Sequence, residues 1–325
     1  MNLIRQKYNY HVSLDTVEEF EQIILLDSTI SEKSEIIRKA SKIMFLLWKL
    51  FSKYNFLSGE GNNSITKPKL KTEKKKLFAV LMGADFSKCF PYFLFSTNKN
   101  LYLFDAWPKE QDGIIKFLNA FKVNNVFFTS SQVVKIIQSK TPNTNCVWVP
   151  EGINPEMYKY YDYRDKTIDV LALGRRYDTY HKQIVDCLKN NDKIYLYEKK
   201  RGSIIFPTRE GFVQGMAKSK ISICVPSSIT HPDRSGNIET MTVRYLQSMV
   251  SKCLILGRAP KEMITLFGYN PVIEIDSEDP EGQIISIINN YSNYFGLIEK
   301  NYQTVLEKHT WNKRWAEIKL LIKEN

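Results

Sequence analysis

The chain has 325 residues, 43% of them hydrophobic, and a formal net charge of +11. This length accommodates one large or two medium domains, and 18 Phe and 18 Tyr residues exclude a disordered chain. The surplus of positive charge predicts an anionic partner. Three classes of partner fit this charge: nucleic acid, an acidic membrane surface and a nucleotide substrate.

The cysteines and the N-terminal sequence indicate the cellular compartment of the protein. Five scattered cysteines form no C-x-x-C pair, and none of the four histidines clusters with them. We therefore expect reduced, buried thiols in a cytoplasmic protein without a zinc site. The first residues, MNLIRQKYNYH, lack the apolar core of a signal peptide, and no apolar run has the length of a membrane-spanning helix.

The first half of the chain is predicted to alternate strands with helices. Its hydrophobic pattern indicates a strand near 21–26, a helix from about 31 to 54 and a lysine-rich loop up to 76. Short apolar runs predict further strands at 77–83, 101–107, 125–129 and 146–149. A helix follows the third of these runs, and Ser130 or Ser131 is placed to cap it.

The second half repeats this alternation after the Pro- and Gly-containing segment 149–158. Predicted strands lie at 168–174, 194–198, 221–226 and 253–256. Alternation of strands and helices is typical of α/β proteins in which helices cover both faces of a parallel sheet. We predict two Rossmann-like domains, 1–158 and 159–310, and a terminal helix, 311–325, that crosses back towards the first domain.

Residues 235–257 combine a polar loop, an amphipathic helix and a short buried strand. Glu239 lies in the loop, and Thr240 and Thr242 are candidates to cap the helix. The free N–H groups of a helix N-terminus favour phosphate, and a carboxylate beside them can bind sugar hydroxyls. This combination suits a nucleotide-diphosphate sugar, although an ordinary βαβ helix with a threonine cap has the same spacing.

This segment resembles the donor-binding helix of GT-B glycosyltransferases, especially the group 1 (family four) enzymes and the spore-maturation-protein-like branch. Those enzymes carry a Glu, seven residues and a second Glu; Glu239 matches the first position and Gln247 stands at the second. The resemblance implies two Rossmann-like domains facing each other across a cleft, and transfer of a sugar from a nucleotide-diphosphate donor. It also implies that Glu239 touches the donor sugar and that Gln247 touches the ribose, where Gln offers a hydrogen bond without a charge.

Basic residues after the first strand of the second domain are candidates for binding the donor diphosphate. Gly174, Arg175 and Arg176 follow this strand, and ligands of open α/β sheets bind at the carboxyl ends of strands. The glycine permits close approach of the backbone, and the two guanidinium groups can clamp a diphosphate. His181 opens the next helix and is placed to assist. Surface arginines on an ordinary loop have the same pattern.

Three further residues near the amphipathic helix complete the donor set. Arg244 lies about one turn beyond Glu239 and either meets the phosphate or pairs with Glu239, two alternatives that the sequence leaves open. Asn237 and Met241 flank Glu239. No D-x-D triplet stands at a strand end, so we expect a site without a metal ion, and no cofactor besides the sugar nucleotide as co-substrate.

Asp105, in the segment FDAWP, ends a strand of the first domain and is the second catalytic candidate beside Glu239. An inverting transferase needs a general base near the acceptor hydroxyl, which an aspartate at this position can supply. Aspartate at a strand end is also a common turn former, so both roles stay open.

The helix expected at 36–54 is basic and strongly apolar. Such a helix can lie on an anionic membrane surface, where lipid-linked acceptors occur. Its apolar residues spread widely around the helix, which favours a helix buried in the domain. The lysine-rich stretch 67–76 either adds to the attraction for a membrane or is simply solvated.

We expect transfer to a carbohydrate or lipid-linked acceptor in surface polysaccharide or glycoconjugate synthesis, in the cytoplasm or at the inner face of the membrane. The alternatives are a nucleotide-sugar epimerase of the same fold and a non-catalytic relative that binds sugar nucleotides or glycans. Nucleic acid is not expected as a partner, because aromatic residues do not interleave with the lysine runs as they do in a stacking platform.

Overall fold

In the computed structural model, the described residues are 1–5, 15–33, 43, 45–47, 50, 76–174, 176–200 and 203–324. The chain forms two compact units, one from Met1–Val149 with Glu317–Asn325 and the other from Pro150–Ala316. Each unit contains a parallel sheet with helices around it, so the predicted α/β class is confirmed. The domain boundaries expected after residues 158 and 310 stay predictions.

The described residues of the first unit form a six-stranded parallel sheet in the order β2-β1-β3-β4-β5-β6. The strands are β1 (Asn2–Ile4), β2 (Ser31–Lys33), β3 (Lys76–Met82), β4 (Asn98–Phe104), β5 (Asn125–Phe128) and β6 (Asn145–Trp148). The helices of this unit whose two ends both lie among the described residues are α1 (Asp15–Leu25), α2 (Phe90–Phe95), α3 (Pro108–Phe121) and α4 (Ser131–Gln138).

β3 and β4 lie at the centre of this sheet and bury nearly all of their side chains. Their apolar runs are almost uninterrupted because both faces of a parallel sheet are covered. Asparagine side chains bond across the neighbouring strands: the buried Asn125 donates from Nδ2 to Oδ1 of the buried Asn100 at 2.8 Å, and the exposed Asn145 donates from Nδ2 to Asn125 Oδ1 at 3.0 Å. These three residues are also register partners, so the amide bonds help to hold β4, β5 and β6 in place.

The described residues of the second unit form a five-stranded parallel sheet in the order β11-β10-β9-β7-β8. The strands are β7 (Ile168–Ala172), β8 (Tyr195–Tyr197), β9 (Ser219–Cys224), β10 (Leu254–Gly257) and β11 (Ile273–Glu274). The helices are α5 (Asp178–Asn190), α6 (Arg209–Ala217), α7 (Ser227–Thr230), α8 (Pro232–Ser235), α9 (Val243–Val250), α10 (Lys261–Phe267), α11 (Pro280–Asn289) and α12 (Phe295–Lys308). The last helix, α13 (Trp311–Glu324), begins in this unit, and its residues from Glu317 onward belong to the first unit.

The core of the second sheet contains aliphatic side chains from β7, β9 and β10, packed against side chains of α5 and α11. Because β7, β9 and β10 are neighbours and run parallel, their carboxyl ends lie side by side. This edge receives the loops that contain most of the expected donor residues.

Two predictions for the first half of the chain are wrong. The predicted strand 21–26 is helical up to Leu25, the last residue of α1, since Val17, Phe20 and Ile24 are all buried at helical spacing and the pattern extends upstream of the short apolar run. Residues 31–33 form β2, which pairs with β1, where the sequence indicated the start of a helix.

The rest of the helix predicted at 31–54 lies outside the described residues, apart from 43, 45–47 and 50, which are helical. The lysine-rich loop lies outside them up to residue 75. The other predicted strands are confirmed within a few residues.

Candidate functional site

The loops after β7, β9 and β10 meet at the carboxyl edge of the second sheet. Gly174 follows β7, Ser228 follows β9 and Arg258 follows β10. Open α/β sheets bind their ligands at this edge, because the strand ends and the helix starts leave backbone groups and loop side chains exposed there. The arrangement therefore concentrates polar side chains where a ligand is expected.

Arg244 and Gly174 lie against each other at this edge. Arg244 is in the first turn of α9, and a Cβ built on Gly174 would lie only 2.8 Å from its Nη2. Gly174 has φ of +72°, a conformation that glycine adopts without strain. Among the described residues, the half-buried Arg244 guanidinium has no hydrogen-bond or ion-pair partner. A half-buried cation without a partner favours an anionic ligand.

Glu239 lies over the ends of β9 and β10. Its Oε1 is 3.6 Å from Arg258 Nη2 and accepts a hydrogen bond of 3.4 Å from Ser228 Oγ. The carboxylate is therefore oriented from two strand ends while part of it remains open to solvent. Sequence reasoning missed Arg258; its signal was the position directly after the glycine that ends β10.

Two carboxylates of the chain bind backbone amides at and just before the N-terminus of α9. Glu262 Oε1 accepts from Thr240 Oγ1 at 2.7 Å and from the Met241 N–H at 3.0 Å. Glu151 Oε2 accepts from the Val243 N–H at 2.7 Å. Both glutamates are buried, so these bonds are shielded from water. Amides that the sequence assigned to a diphosphate are thus already bound within the protein.

The expected threonine caps need a correction in the same region. Thr242 occupies the N-cap position of α9, but its side chain makes no capping hydrogen bond. Thr240 precedes the cap and is bound to Glu262 instead. The positive end of α9 is neutralised by glutamates from distant segments, which explains why a threonine cap is not required.

Gln247 is buried within the second unit. Its Nε2 donates to the hydroxyl of Tyr158 at 3.0 Å, and both side chains are almost fully shielded from solvent. In the described part of the chain, Gln247 is therefore a hydrogen-bonding partner of Tyr158. Its contact with a ribose, which the family resemblance implies, stays a prediction.

Arg176 lies at the end of β7 but is engaged by its neighbours. Its Nε is 2.6 Å from Asp178 Oδ1, and its Nη1 donates to the carbonyl of Glu198 at 3.1 Å. Only part of the Arg176 guanidinium is therefore open to a ligand, whereas the whole guanidinium of Arg244 has no partner among the described residues. Arg175, the other arginine of the expected clamp, lies outside the described residues.

The surroundings of His181 favour the neutral form of its imidazole. Burial and, secondarily, the nearby Arg176 lower the pKa of its imidazole. Its Nδ1 lies 3.1 Å from the hydroxyl of Tyr195, which holds the ring against β8. Asn237 is exposed in the loop before Glu239 and stays a donor-binding prediction.

Asp105 lies in the first unit, directly after β4. Its φ of +51° places it in the left-handed region, which is uncommon for a residue other than glycine but tolerated by aspartate. The Trp107 N–H donates to its carbonyl at 2.8 Å, so Asp105 forms a tight turn at the carboxyl edge of the first sheet. Backbone strain of this kind is concentrated at functional sites, although a turn alone has the same geometry.

A second carboxylate lies at that edge and was missed from the sequence. Glu110, in the first turn of α3, accepts from the Ala84 N–H at 3.1 Å in the loop after β3. Gly83 has φ of +60°, and a Cβ there would overlap the Glu110 carboxylate. The glycine therefore permits the close approach of Glu110 to this loop.

Among the described residues, no group of three or more His, Cys, Asp or Glu side chains is arranged to hold a metal ion. Among the same residues, no helix combines the length and apolarity needed to cross a membrane.

The comparisons with known proteins give structural likeness only. No family model and no curated protein matches the sequence at a significant level. The N-terminal domain of Candida albicans trehalose-6-phosphate phosphatase has a TM-score of 0.58 and 10% identity, over 99% of this chain and 96% of that one. TarM has a TM-score of 0.52 and 13% identity, over 76% and 54%. HepE from Anabaena, solved with UDP-glucose, has a TM-score of 0.51 and 10% identity, over 77% and 78%.

TarM and HepE are GT-B glycosyltransferases, and the likeness shows that this chain has the α/β fold of that class. At such low identity it shows the fold alone. The chain covers about half the length of TarM, 54% of it. The activity, the substrates and the more specific branch are therefore matters of proposal.

Proposed function

We propose that the protein is a glycosyltransferase that moves a sugar from a nucleotide-diphosphate donor to an acceptor. The observation that carries this proposal is the half-buried guanidinium of Arg244, which lies against Gly174 without a partner among the described residues. The Glu239–Arg258 pair supplies a carboxylate for sugar hydroxyls at the same sheet edge. HepE, which shares the fold, was solved with UDP-glucose, and this supports a sugar nucleotide as the donor.

The chemistry assigns a different task to each group. The acceptor oxygen forms a bond to the anomeric carbon, the bond between that carbon and the diphosphate breaks, and the diphosphate leaves with the bonding electrons and a growing negative charge. Arg244 and Arg258 neutralise that charge, at about 1.5–3 kcal/mol for each hydrogen bond to a charged group. Glu239 orients the sugar through its hydroxyls. Asp105 is our candidate for the base that takes the proton of the acceptor hydroxyl if the reaction inverts the anomeric centre.

The resemblance of residues 235–257 to the donor-binding helix of GT-B glycosyltransferases supports a more specific proposal. We place the enzyme in the family four and spore-maturation-protein-like branch, as a hexosyltransferase acting on a glycan or lipid-linked acceptor. We place its work in surface polysaccharide or glycoconjugate synthesis, in the cytoplasm or at the inner membrane face. An assay with sugar nucleotides and a panel of acceptors tests this, and interconversion of the free sugar nucleotide without transfer would favour an epimerase instead.

We expect the donor to bind without a metal ion. Arginine side chains supply the positive charge at the sheet edge. The affinity for UDP should therefore be the same in EDTA as in added manganese, and so should the affinity for GDP. Calorimetry with both nucleotides measures this, and the nucleotide that binds more tightly reveals the preferred base. Binding that disappears with EDTA and returns with manganese would contradict the metal-free site.

Replacing Gly174 with Ala tests the contact with Arg244. The added Cβ would lie 2.8 Å from Arg244 Nη2, so the guanidinium must shift away from the strand end. We expect the affinity for the nucleoside diphosphate to fall at least about tenfold, or ~1.4 kcal/mol, in calorimetry.

Gly268→Ala is the matched control for this substitution. Gly268 has φ of +75°, close to the +72° of Gly174, but no atom lies within 4 Å of its added Cβ. Both variants should lose similar stability, about 1 kcal/mol or more, through backbone strain. Equal losses of nucleotide affinity in the two variants would mean that the contact between Gly174 and Arg244 has no role in binding.

A further inference from the structure

Two short stretches of the second unit meet at the Glu239 carboxylate. One is the 239–241 segment, which precedes α9; the other is the 258–260 loop, which joins β10 to α10. The ion pair between Glu239 Oε1 and Arg258 Nη2 is 3.6 Å long, and 51% of the arginine side chain faces solvent. Water and salt weaken an ion pair of this kind, so it does not fix the carboxylate by itself.

The 258–260 loop is fixed through the backbone of Arg258. The Arg258 N–H donates to the Cys224 carbonyl at the end of β9 at 3.0 Å, and the Arg258 carbonyl accepts from the buried Tyr245 hydroxyl at 2.7 Å. Gly257 permits the first of these bonds, because a Cβ there would overlap the Cys224 carbonyl. The loop is therefore a rigid support to which the segment of Glu239 can be attached.

Glu262 attaches the 239–241 segment to this support. It lies in the first turn of α10, and its Oε1 accepts from Thr240 Oγ1 at 2.7 Å and from the Met241 N–H at 3.0 Å. Glu262, Thr240 and Met241 are all buried, so both hydrogen bonds lie where water competes little with them. They fix the two residues that directly follow Glu239 in the chain.

The arginine that we assign to the diphosphate has a separate support. Arg244 follows Val243, whose N–H donates to Glu151 Oε2 at 2.7 Å. This bond does not involve Glu262, so the start of α9 remains held when Glu262 is changed. Loss of Glu262 should therefore displace the carboxylate assigned to the sugar and leave the guanidinium assigned to the diphosphate in place.

We propose that Glu262 is a positioning residue for sugar transfer, which keeps the Glu239 carboxylate oriented towards the donor sugar. Glu262 acts through Thr240 and Met241 and not by touching the sugar. The inference rests on the proposed function, because it concerns the carboxylate that binds the sugar in that function. A displaced carboxylate no longer orients the reacting sugar, so turnover should change more than nucleotide binding does.

Glu262→Ala should lower kcat for the best sugar-nucleotide donor about tenfold. The affinity for UDP or GDP, whichever the natural chain binds more tightly, should change less than about twofold. Glu262→Gln should recover most of the lost turnover, because its amide oxygen still accepts both hydrogen bonds. Steady-state kinetics and calorimetry on the full chain measure the two effects.

Glu210→Ala is the matched control. Glu210 is the second residue of α6, as Glu262 is of α10, but Glu210 is exposed. This variant should match the natural chain in turnover and in nucleotide affinity. If Glu262→Ala fails to fold, Thr240→Val replaces it: valine keeps the branched shape and removes one of the two hydrogen bonds to Glu262, so turnover should fall in the same direction.

A double-mutant cycle distinguishes positioning from a general structural role. In the Glu239→Ala background, Glu262→Ala should change turnover less than about twofold, because the carboxylate that it positions is absent. A residue that only stabilises the unit would cause the same loss of turnover in both backgrounds.

Four results would overturn the inference while the proposed function stands. They are a Glu262→Ala variant that matches Glu210→Ala, a parallel loss of nucleotide affinity and turnover, a Glu262→Gln variant as impaired as Glu262→Ala, and equal losses in the two backgrounds of the cycle. A natural chain that neither binds a nucleoside diphosphate nor transfers a sugar would overturn the proposed function itself, and the inference with it.

Discussion

Arg244→Ala should lower kcat/KM for the nucleotide-sugar donor by about two orders of magnitude. The guanidinium can donate two hydrogen bonds to the diphosphate, and the atoms nearest to a Cβ built on Gly174 all belong to it. Loss of charged hydrogen bonds worth about 3 kcal/mol in the transition state corresponds to roughly 150-fold. Steady-state kinetics with the best donor of a panel measures the effect, and calorimetry with the nucleoside diphosphate should show a loss of affinity in parallel.

Two further variants sharpen this test. Arg244→Lys keeps the charge but loses the planar fork, so its activity should lie between that of the natural enzyme and that of Arg244→Ala. Arg164→Ala removes an exposed arginine of the same unit, whose Nε is 3.5 Å from the Tyr163 hydroxyl, and should leave kinetics unchanged. If Arg244→Ala retains full nucleotide affinity and turnover, the guanidinium does not bind the donor. The open Arg244 side chain then no longer supports the proposed function.

Glu239→Gln should reduce turnover by about 2–3 kcal/mol, or roughly 30- to 150-fold, while nucleoside diphosphate affinity barely changes. The substitution keeps the shape of the side chain and removes its charge. A carboxylate bound to sugar hydroxyls contributes to orienting the reacting sugar, whereas the nucleoside diphosphate alone makes no use of it. Single-turnover kinetics and calorimetry measure the two effects separately.

The control for the charge change is Glu156→Gln, at an exposed position of the second unit. This variant should match the natural enzyme in both measurements. A Glu239→Gln variant with unchanged turnover would remove the residue from the sugar site. A parallel loss of nucleotide affinity would instead indicate that Glu239 acts by holding Arg258, its ion-pair partner at 3.6 Å.

Local patterns predicted most of the fold because strands and helices have short, repeating signatures. Short, mainly apolar runs marked β3, β4, β7 and β9, and the alternation with helices indicated parallel sheets. The error at α1 arose from the same method: a short apolar run was interpreted without the buried residues one and two turns earlier. A longer window would have shown the helical period.

The segment of the candidate site was also visible in the sequence, but its contacts were not. The positions of Glu239, Arg244 and Gly174 at strand and helix boundaries follow from local order alone. The contact between Arg244 and Gly174 joins residues on different elements and depends on β7 lying next to β9 in the sheet. No spacing along the chain encodes that adjacency.

The sequence by itself determined the α/β class, the strand and helix order of the second unit and the residue types available at its carboxyl edge. Only the tertiary structure decided how those residues are used. Glu151 reaches the Val243 amide from 92 positions away, and Glu262 reaches Met241 from 21 positions away. The amides of Met241 and Val243 are therefore bound by carboxylates of the protein, and our proposal assigns the diphosphate to arginine side chains. The physical reason is that hydrogen bonds and ion pairs depend on distance in space, which local sequence periodicity does not contain.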